Sequence, residues 1–447
     1  MTAIYSILSF ILILLPLVIL HEFGHYFSAK FFKIKVLEFG FGFPPKLFSY
    51  WSSKKIIYFE KNNFDFSGLE GKKIFVATHF DNNKEFVSEF FMNNKESFSS
   101  ETENYEVKID EIKNDSLVIR DMQWSFNLLP LGGFVRPFGE DNSNHPDSFY
   151  VKNAFQRFVV LVAGVLINLI LPFFLFFFSS LFITEVDKSD LIILDISKNS
   201  PALNAGLKVG DKILKIDDKD IHNMNDLQRI LTSKLGKDIL INVDRGIPNP
   251  FAESWEENFS YNNNITQASA TPRWNPPEGE GALGIAVSVQ NYRTINVRNG
   301  ISDSIKNSYY SVSQLVTLSI NSVKAIFNDS SNPQFSGPVA VGPVGISQIT
   351  GSVASSELTI SGKIKVYIEL ISILSLSLGV INLLPIPALD GGRILFVFIE
   401  ILRRGKRVSP DKERIVHSLG FALMISLLVL VTCQDISRIF DSANIVG

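Results

Sequence analysis

The first twenty-five residues read MTAIYSILSFILILLPLVILHEFGH (1–25), an apolar run that ends in three ionisable side chains. Met1–Leu20 carries no charge and matches the roughly 20 residues that cross a bilayer core about 30 Å thick. Its start lacks Lys and Arg, and no small-residue cleavage site follows, so it is expected to stay as a retained helix rather than leave as a signal peptide. Three more stretches are uncharged: Phe158–Thr184, Leu370–Leu389 and Ile415–Gln434. Hydrophobic residues make up 46% of the 447, with 38 Phe and only 19% charged. These figures exclude a soluble single-core enzyme and a disordered chain. A net charge of -3 shows no basic excess, which argues against nucleic acid as a partner. The single cysteine, Cys433, cannot form an internal disulfide.

The chemistry starts where the first run ends. His21 and His25 are four residues apart, so on a helix their Cβ atoms lie about 5–6 Å apart and both imidazoles can meet one metal ion. Glu22 projects beside them and can take a proton from water at that ion. A chance match is the bland alternative. It is opposed by the setting, because an ionisable residue at the centre of a span costs at least ~2.5–3.5 kcal/mol, and three together call for a compensating ligand.

Basic residues orient the spans. Lys30, Lys33 and Lys35 follow the first, Arg157 opens the second, and Arg403, Arg404, Lys406, Arg407, Lys412 and Arg414 lie between the third and fourth. The positive-inside rule puts all of them in the cytosol, with both termini and the segment between spans two and three outside. Ile4 to His21 is about 25 Å of helix at 1.5 Å per residue, which places His21 just inside the cytosolic boundary. A catalytic zinc takes three protein ligands and keeps a fourth position for water. Asp390, in NLLPIPALDGGRILF (382–396), falls at the same depth and is the candidate third ligand. Alone it would read as a helix-end carboxylate before Gly391 and Gly392. His79, His145 and His222 lie in polar surroundings, and His417 is alone on an apolar face; these read as surface or core residues.

The expected fold class is a polytopic α-helical membrane protein with four transmembrane helices, a membrane-associated β-hairpin/loop region and an extracytoplasmic PDZ-like α/β domain. Residues 1–28 form span one with HEFGH. Residues 29–152 form a cytosolic or re-entrant β region whose Lys, Asn, Glu and Phe-rich insertion, 49–123, has no clear assignment. Span two covers 153–184. The α/β domain covers 187–292, with strands at 191–196, 211–216, 239–243 and 281–287 and helices at 201–206 and 226–234; its Pro, Asn and Gly-rich part, 247–280, reads as a long loop. Region 301–360 holds an amphipathic helix and a connector. In that helix Tyr309, Val312, Val316, Ile320, Val323 and Phe327 recur every three or four residues, as in a helix lying on a membrane. Span three, 363–402, carries LDGG, and span four covers 412–434.

HEFGH and NLLPIPALDGG, in this order and roughly 365 residues apart, resemble the two motifs of the site-2 proteases, the zinc intramembrane metalloproteases. The closest likeness is to the bacterial envelope-stress branch that cleaves anti-sigma factors. SPALNAGLKVGDKILKIDDKDI (200–221) resembles that branch's PDZ domain, FGFGF (39–43) its membrane re-entrant β-loop, and LPLGGFV (129–135) the neighbouring hairpin. Val165 departs from the family's proline in the second span, while Asn168 keeps the family's asparagine. The resemblance implies Zn2+ as cofactor, His21, His25 and Asp390 as its ligands, and Glu22 as the catalytic base. It also implies single-span substrates, such as anti-sigma factors or signal-peptide-like stumps, already trimmed by an upstream site-1-type protease. The location implied is the bacterial inner membrane. Asn382 is a candidate for bonding the substrate backbone or a developing oxyanion, with an interhelical hydrogen bond as its alternative. The loop at Gly40 and Gly42 is a candidate edge for an extended substrate, and Pro385 and Pro387 are candidates for opening the cleft. On the residues alone, a membrane zinc protease with a Glu as third ligand stays open. So does a catalytically silent PDZ-bearing scaffold, which the presence of Glu22 disfavours.

Overall fold

The computed structural model describes residues 2–60, 64–82, 84–92, 104–140, 145–183, 185–249, 259–277, 279–327 and 342–440. It divides into two compact units: Met1–Leu171 with Gly342–Glu357 and Glu369–Gly447, and Pro172–Val341 with Leu358–Ile368.

The chain opens with helix α1 (Thr2–Phe31), followed by strands β1 (Val36–Tyr58), β2 (Lys73–Asp81), β3 (Lys84–Phe91), β4 (Asn104–Ile112) and β5 (Ser116–Pro137). The five strands close a barrel in the order β1-β3-β2-β4-β5. Insertion 49–123, which the sequence leaves unassigned, therefore supplies most of this barrel. Polar residues alternate with apolar ones along its strands, so Ile74, Val76, Val107 and Ile109 point inward and are fully buried with Ile57, Leu117 and Ile119. β1 and β5 run on past the barrel. Residues 36–41 pair on one flank with 133–137 and on the other with 123–126, while 46–58 pair with 116–127. Gly42, at φ +78, is held where a side chain would strike the Leu129 carbonyl. Phe43, Leu47, Phe48, Leu128 and Leu129 are exposed at the tips of this sheet. Helix α2 (Ala154–Phe182) starts at a reciprocal cap: Asn153 Oδ1 accepts from the Gln156 N–H at 2.8 Å, and the Asn153 N–H donates to the Gln156 side chain at 3.2 Å.

The second unit contains β6 (Glu185–Ile196), α3 (Pro201–Asn204), β7 (Lys212–Ile216), β8 (Lys219–Asp220), α4 (Met224–Ser233), β9 (Ile239–Asp244), β10 (Ile247–Pro248), β11 (Phe259–Ser260), β12 (Ile265–Ala270), β13 (Ile285–Asn296) and α5 (Ile301–Phe327). Its main sheet runs β12-β9-β7-β6-β13, with β8 on β7. Ile193, Leu207, Ile213, Ile216, Leu227, Ile241 and Val243 are among its core. The expected loop 247–280 is corrected in part. β10 and β11 pair, and β12 joins the sheet beside β9. The strand ITQASA buries only Ala268 and Ala270, whose small side chains give almost no alternation in hydropathy. Residues 250–258 and 278 of that stretch lie outside the described residues. α5 packs its polar side inward: Ser304 and Ser308 are buried, and the Asn321 amide donates to the Thr232 and Ser233 carbonyls at the end of α4. Tyr309, Val316 and Ile320 are exposed. The side chains of Val323 and Phe327, the last of the amphipathic stripe, and the connector 328–341 lie outside the described residues.

The chain continues with α6 (Pro343–Ser355), α7 (Ile360–Leu383), α8 (Asp390–Leu402) and α9 (Pro410–Phe440). Asp435 on α9 accepts from the N–H groups of Gly342 and Gly345 at the start of α6. Span three, expected over 363–402 with a break at Pro385 and Pro387, consists of two helices, α7 and α8: the prolines have no N–H to continue the ladder, and Ala388 takes a left-handed φ of 77. Among the described residues, four helices are long and apolar enough to cross a membrane: Leu8–Phe31, Ala154–Phe182, Ile360–Leu383 and Pro410–Ser437. Their exposed Phe178, Leu423 and Leu427 side chains suit a lipid surface, and the chain fits a multi-pass membrane protein.

Candidate metal centre

α1 sets His21 and His25 one turn apart with ring centroids 4.8 Å from each other. Asp390, the first residue of α8, reaches both. Its Oδ2 lies 3.0 Å from His21 Nε2 and 3.2 Å from His25 Nε2, and the two Nε2 atoms are 3.2 Å apart. Two histidines four positions apart and an aspartate more than 360 positions further on thus form a near-equilateral triangle of donor atoms.

The rest of the triangle's surroundings comes from α2. A β-carbon on Gly24 would stand 2.6 Å from the Ala163 carbonyl, and one on Gly164 would stand 2.4 Å from His25 Nε2. The two helices therefore cross with small residues at the contact, as membrane helices do. The His25 Nδ1–H donates to the Val160 carbonyl at 2.8 Å, which leaves Nε2 of the neutral ring with a lone pair. His21 Nδ1 sits 3.1 Å from the Asn168 side-chain amide, and the other end of that amide, Oδ1, is buried without a partner. A half-turn of the amide presents Oδ1 to the His21 Nδ1–H and puts Nδ2 in the unpartnered position. Asn168 is itself held from α7, where the Ser375 hydroxyl donates to its carbonyl at 2.8 Å.

With both Nδ1 atoms protonated, the triangle consists of three acceptors and no proton, an arrangement that only a cation stabilises. Zinc bonds to nitrogen and oxygen run about 2.0–2.2 Å, so tetrahedral ligand atoms stand roughly 3.3–3.5 Å apart, close to the separations found. The donor chemistry and the spacing both fit Zn2+. Among the described residues, His21, His25 and Asp390 are the one group of three or more His, Cys, Asp or Glu so arranged. His79, His145 and His222 do not join it.

Glu22 stands beside the triangle in a cavity of about 260 Å3, whose walls include His25, Phe134, Val135, Asp390 and Arg393. The Val135 N–H donates to its carboxylate, and Gly133 lies 3.3 Å from its Cγ, measured from where a β-carbon would be. The expectation that the Gly40 segment offers unpaired backbone is corrected. Gly40 pairs with both Phe134 and Ser125, because the LPLGGFV leg folds over it. The free edge facing Glu22 is that leg, 133–137, which pairs with β1 on one side only among the described residues. Asn382 is half-buried near the end of α7 and has no hydrogen-bond partner among the described residues. Pro385 and Pro387 lie in the turn between α7 and α8. The residues that spacing alone does not single out are Val160, whose carbonyl gives no side-chain signal, and Asn168, visible only as an amide in an apolar span.

Peptidase family M50 matches residues 9–59 and 111–427. The chain belongs to this family. The stretch that the M50 match passes over, 60–110, lies within the barrel insertion, while every residue of the triangle and Glu22 lies within the match. The M50 peptidase is similar along almost its whole length to bacterial relatives. The regulator of sigma-W protease RasP of Bacillus subtilis is 28% identical over 97% of this chain and 99% of its own. The zinc metalloprotease RasP of Shouchella clausii is 29% identical over 98% of this chain and 100% of its own. The zinc metalloprotease RasP of Geobacillus kaustophilus is 28% identical over 97% and 98%.

Proposed function

We propose that the chain is a zinc-dependent intramembrane endopeptidase of the site-2 type, which hydrolyses peptide bonds in transmembrane segments of pre-trimmed membrane proteins. The observation that carries this reading is the convergence of three acceptor atoms, from His21, His25 and Asp390, beside the Glu22 carboxylate. Zinc, when bound, supplies a Lewis acid that lowers the pKa of water toward ~7. The two imidazoles and the Asp390 carboxylate hold it. Glu22 takes the proton of the attacking water and delivers it to the leaving amine.

A helical substrate hides its peptide bonds, so it must be extended before attack. The edge at Gly133–Pro137 supports this step, since an added strand there would lie along Glu22. The half-buried Asn382 amide is available to bond that backbone or the developing oxyanion. Pro385 and Pro387 keep the α7–α8 turn free of ladder hydrogen bonds where the substrate would enter.

The names of the relatives support a substrate class. A name as regulator of sigma-W supports an anti-sigma factor, or a comparable signal-peptide-like stump, cut first by a site-1-type protease. The bacterial inner membrane is then the location. The sheet and helices of 185–296 support a PDZ-like domain outside the membrane that gates substrate entry, and the exposed Tyr309, Val316 and Ile320 of α5 would rest on lipid. The test of the centre is the zinc content of the purified protein beside His21→Ala and Asp390→Ala. Both variants are expected to lose the metal; full occupancy in either would remove that residue from the site.

A further inference from the structure

We propose that His417 positions the Asp390 carboxylate, acting through the backbone of Ala388. In sequence His417 stands alone on an apolar face. In the structure its Nδ1 accepts a hydrogen bond from the Ala388 N–H at 3.0 Å, two residues before Asp390. Ala388 is a non-glycine residue with φ 77, a left-handed conformation that persists only where its surroundings enforce it.

The turn that carries Asp390 is held from two directions. On the inside, β-carbons at Gly391 and Gly392 would stand 2.0 Å and 2.6 Å from the Leu384 and Ile386 carbonyls, so α8 starts directly against the preceding chain. Leu389, the residue capping α8, offers no side-chain cap. On the outside the support comes from α9. One turn on from His417, a β-carbon on Gly420 would lie 2.3 Å from the Pro387 side chain and 2.6 Å from its carbonyl. His417 and Gly420 thus grip consecutive residues, Ala388 and Pro387, and the hydrogen bond is the polar half of that grip. Among the described residues the Ala388 N–H has no other acceptor. The ring is fixed in turn: Phe396 stands 5.5 Å away by centroids, and Nε2 is buried, with Glu413 Oε1 at 3.8 Å its nearest carboxylate oxygen. Because Nδ1 must accept, the ring's proton sits on Nε2. His417 touches none of the donor triangle, so its effect on the metal passes through the direction in which Asp390 leaves the turn.

The inference rests on Asp390 as a metal ligand. It is tested by competition titration of zinc into the full-length protein in detergent, with His417→Asn and His417→Gln compared. Asparagine carries its amide oxygen where Nδ1 sits, and glutamine carries it where Nε2 sits; the two are alike in polarity, so a general folding defect would affect both. Outer residues that orient ligands are worth 10–100-fold in metal affinity, so glutamine should weaken zinc by about tenfold or more and asparagine by less than about threefold. On a transmembrane reporter, glutamine should lower kcat and leave KM unchanged. Equal weakening in both variants, or wild-type affinity in His417→Gln, would overturn the proposal. Asp390→Ala, run alongside, separates the two readings. Zinc lost there but kept by His417→Gln sinks only the role of His417, whereas zinc kept by Asp390→Ala sinks the metal centre itself.

Discussion

Gly164 lies so close to His25 that a β-carbon on residue 164 would stand 2.4 Å from the imidazole Nε2. Helix contact and ligand position are therefore the same constraint. Gly164→Ala must push the ring or the helix by about an ångström, and a displacement of that size costs on the order of 100-fold in rate. Zinc content and turnover of a transmembrane reporter should both fall. A fully active alanine variant would mean that His25 does not sit where the metal is held.

Glu22→Gln keeps the shape of the side chain and removes its basicity. Zinc content is expected to match wild type, while reporter cleavage drops by roughly 100-fold to 10,000-fold, the usual contribution of a positioned acid–base group. Near-normal turnover would take Glu22 out of the mechanism.

Asn168 offers a third test, with zinc affinity as the readout. Asn168→Leu retains bulk against α7 but cannot accept from the His21 Nδ1–H, so affinity should fall by about 10–100-fold. Asn168→Asp keeps an acceptor and should lose much less. If leucine and aspartate behave alike, the amide has no role in orienting His21.

The barrel has its own polar centre, remote in chemistry from the metal. Glu85 accepts from Tyr105 and Thr78 at 2.8 Å each, and pairs with Lys35 at 3.4 Å and with Lys55. Burial would raise its carboxyl, but the hydrogen bond from His145 and the charges of Lys35 and Lys55 outweigh that and hold it below the ordinary carboxylate range. A depressed carboxyl stabilises the fold above its unfolded pKa of about 4.3, and that stability is lost as pH falls further, toward the folded value. Hydrogen-exchange protection in β2 and β4, corrected for the intrinsic rate at each pH, should be steady from about pH 7 to 5 and fall below about pH 4. Glu85→Gln leaves buried Lys35 with Asp121, at 3.6 Å, as its remaining partner charge and should destabilise the barrel at neutral pH by less than the roughly 3–5 kcal/mol of a fully orphaned buried charge. Unchanged exchange in this variant would show the pair to be energetically idle.

Topology and gating can be tested on the same cell preparations. Single cysteines in 190–245 should label from outside, and those in 404–412 only from the cytosol. Deleting 190–290 should permit cleavage of substrates that keep their external domains, with zinc retained. A deletion that still cleaved only trimmed substrates would rule out the gate, and outside labelling of 404–412 would break the depth argument for Asp390.

The sequence was most readable where physics penalises ambiguity. Charges inside an apolar span have few explanations, so His21, Glu22 and His25 stood out without any structure, and so did the four spans; Asp390, by itself readable as a helix-end carboxylate, was singled out by its depth and its motif. The barrel did not, because its strands alternate Ile and Val with Lys and Glu in a chain whose composition there resembles a solvated arm. β12 was hidden for the opposite reason, since alanines bury without marking a face. The break between α7 and α8 was visible as two prolines. The contact of His417 with Ala388 was not, because a backbone N–H has no letter in the sequence. The expectation of unpaired backbone at Gly40 failed for a related reason: the glycines at 40 and 42 mark close approach, and what approaches Gly40 is the chain's own Phe134.

Tyr58 and Ser116 are the last partners of the β1–β5 ladder. Everything between them could in principle be replaced by a two-residue hairpin turn without changing the separation of the strands it joins. Such a shortened chain would keep the cleft, the edge beside Glu22 and both glycines of the helix crossing. It would newly expose Ile57, Leu117, Ile119 and Phe138, which pack in the barrel core, so those four would have to become polar. The barrel is thus an attachment spliced into an uninterrupted ladder, and a minimal protease built this way would show whether the attachment serves the hydrolysis or only rides on it.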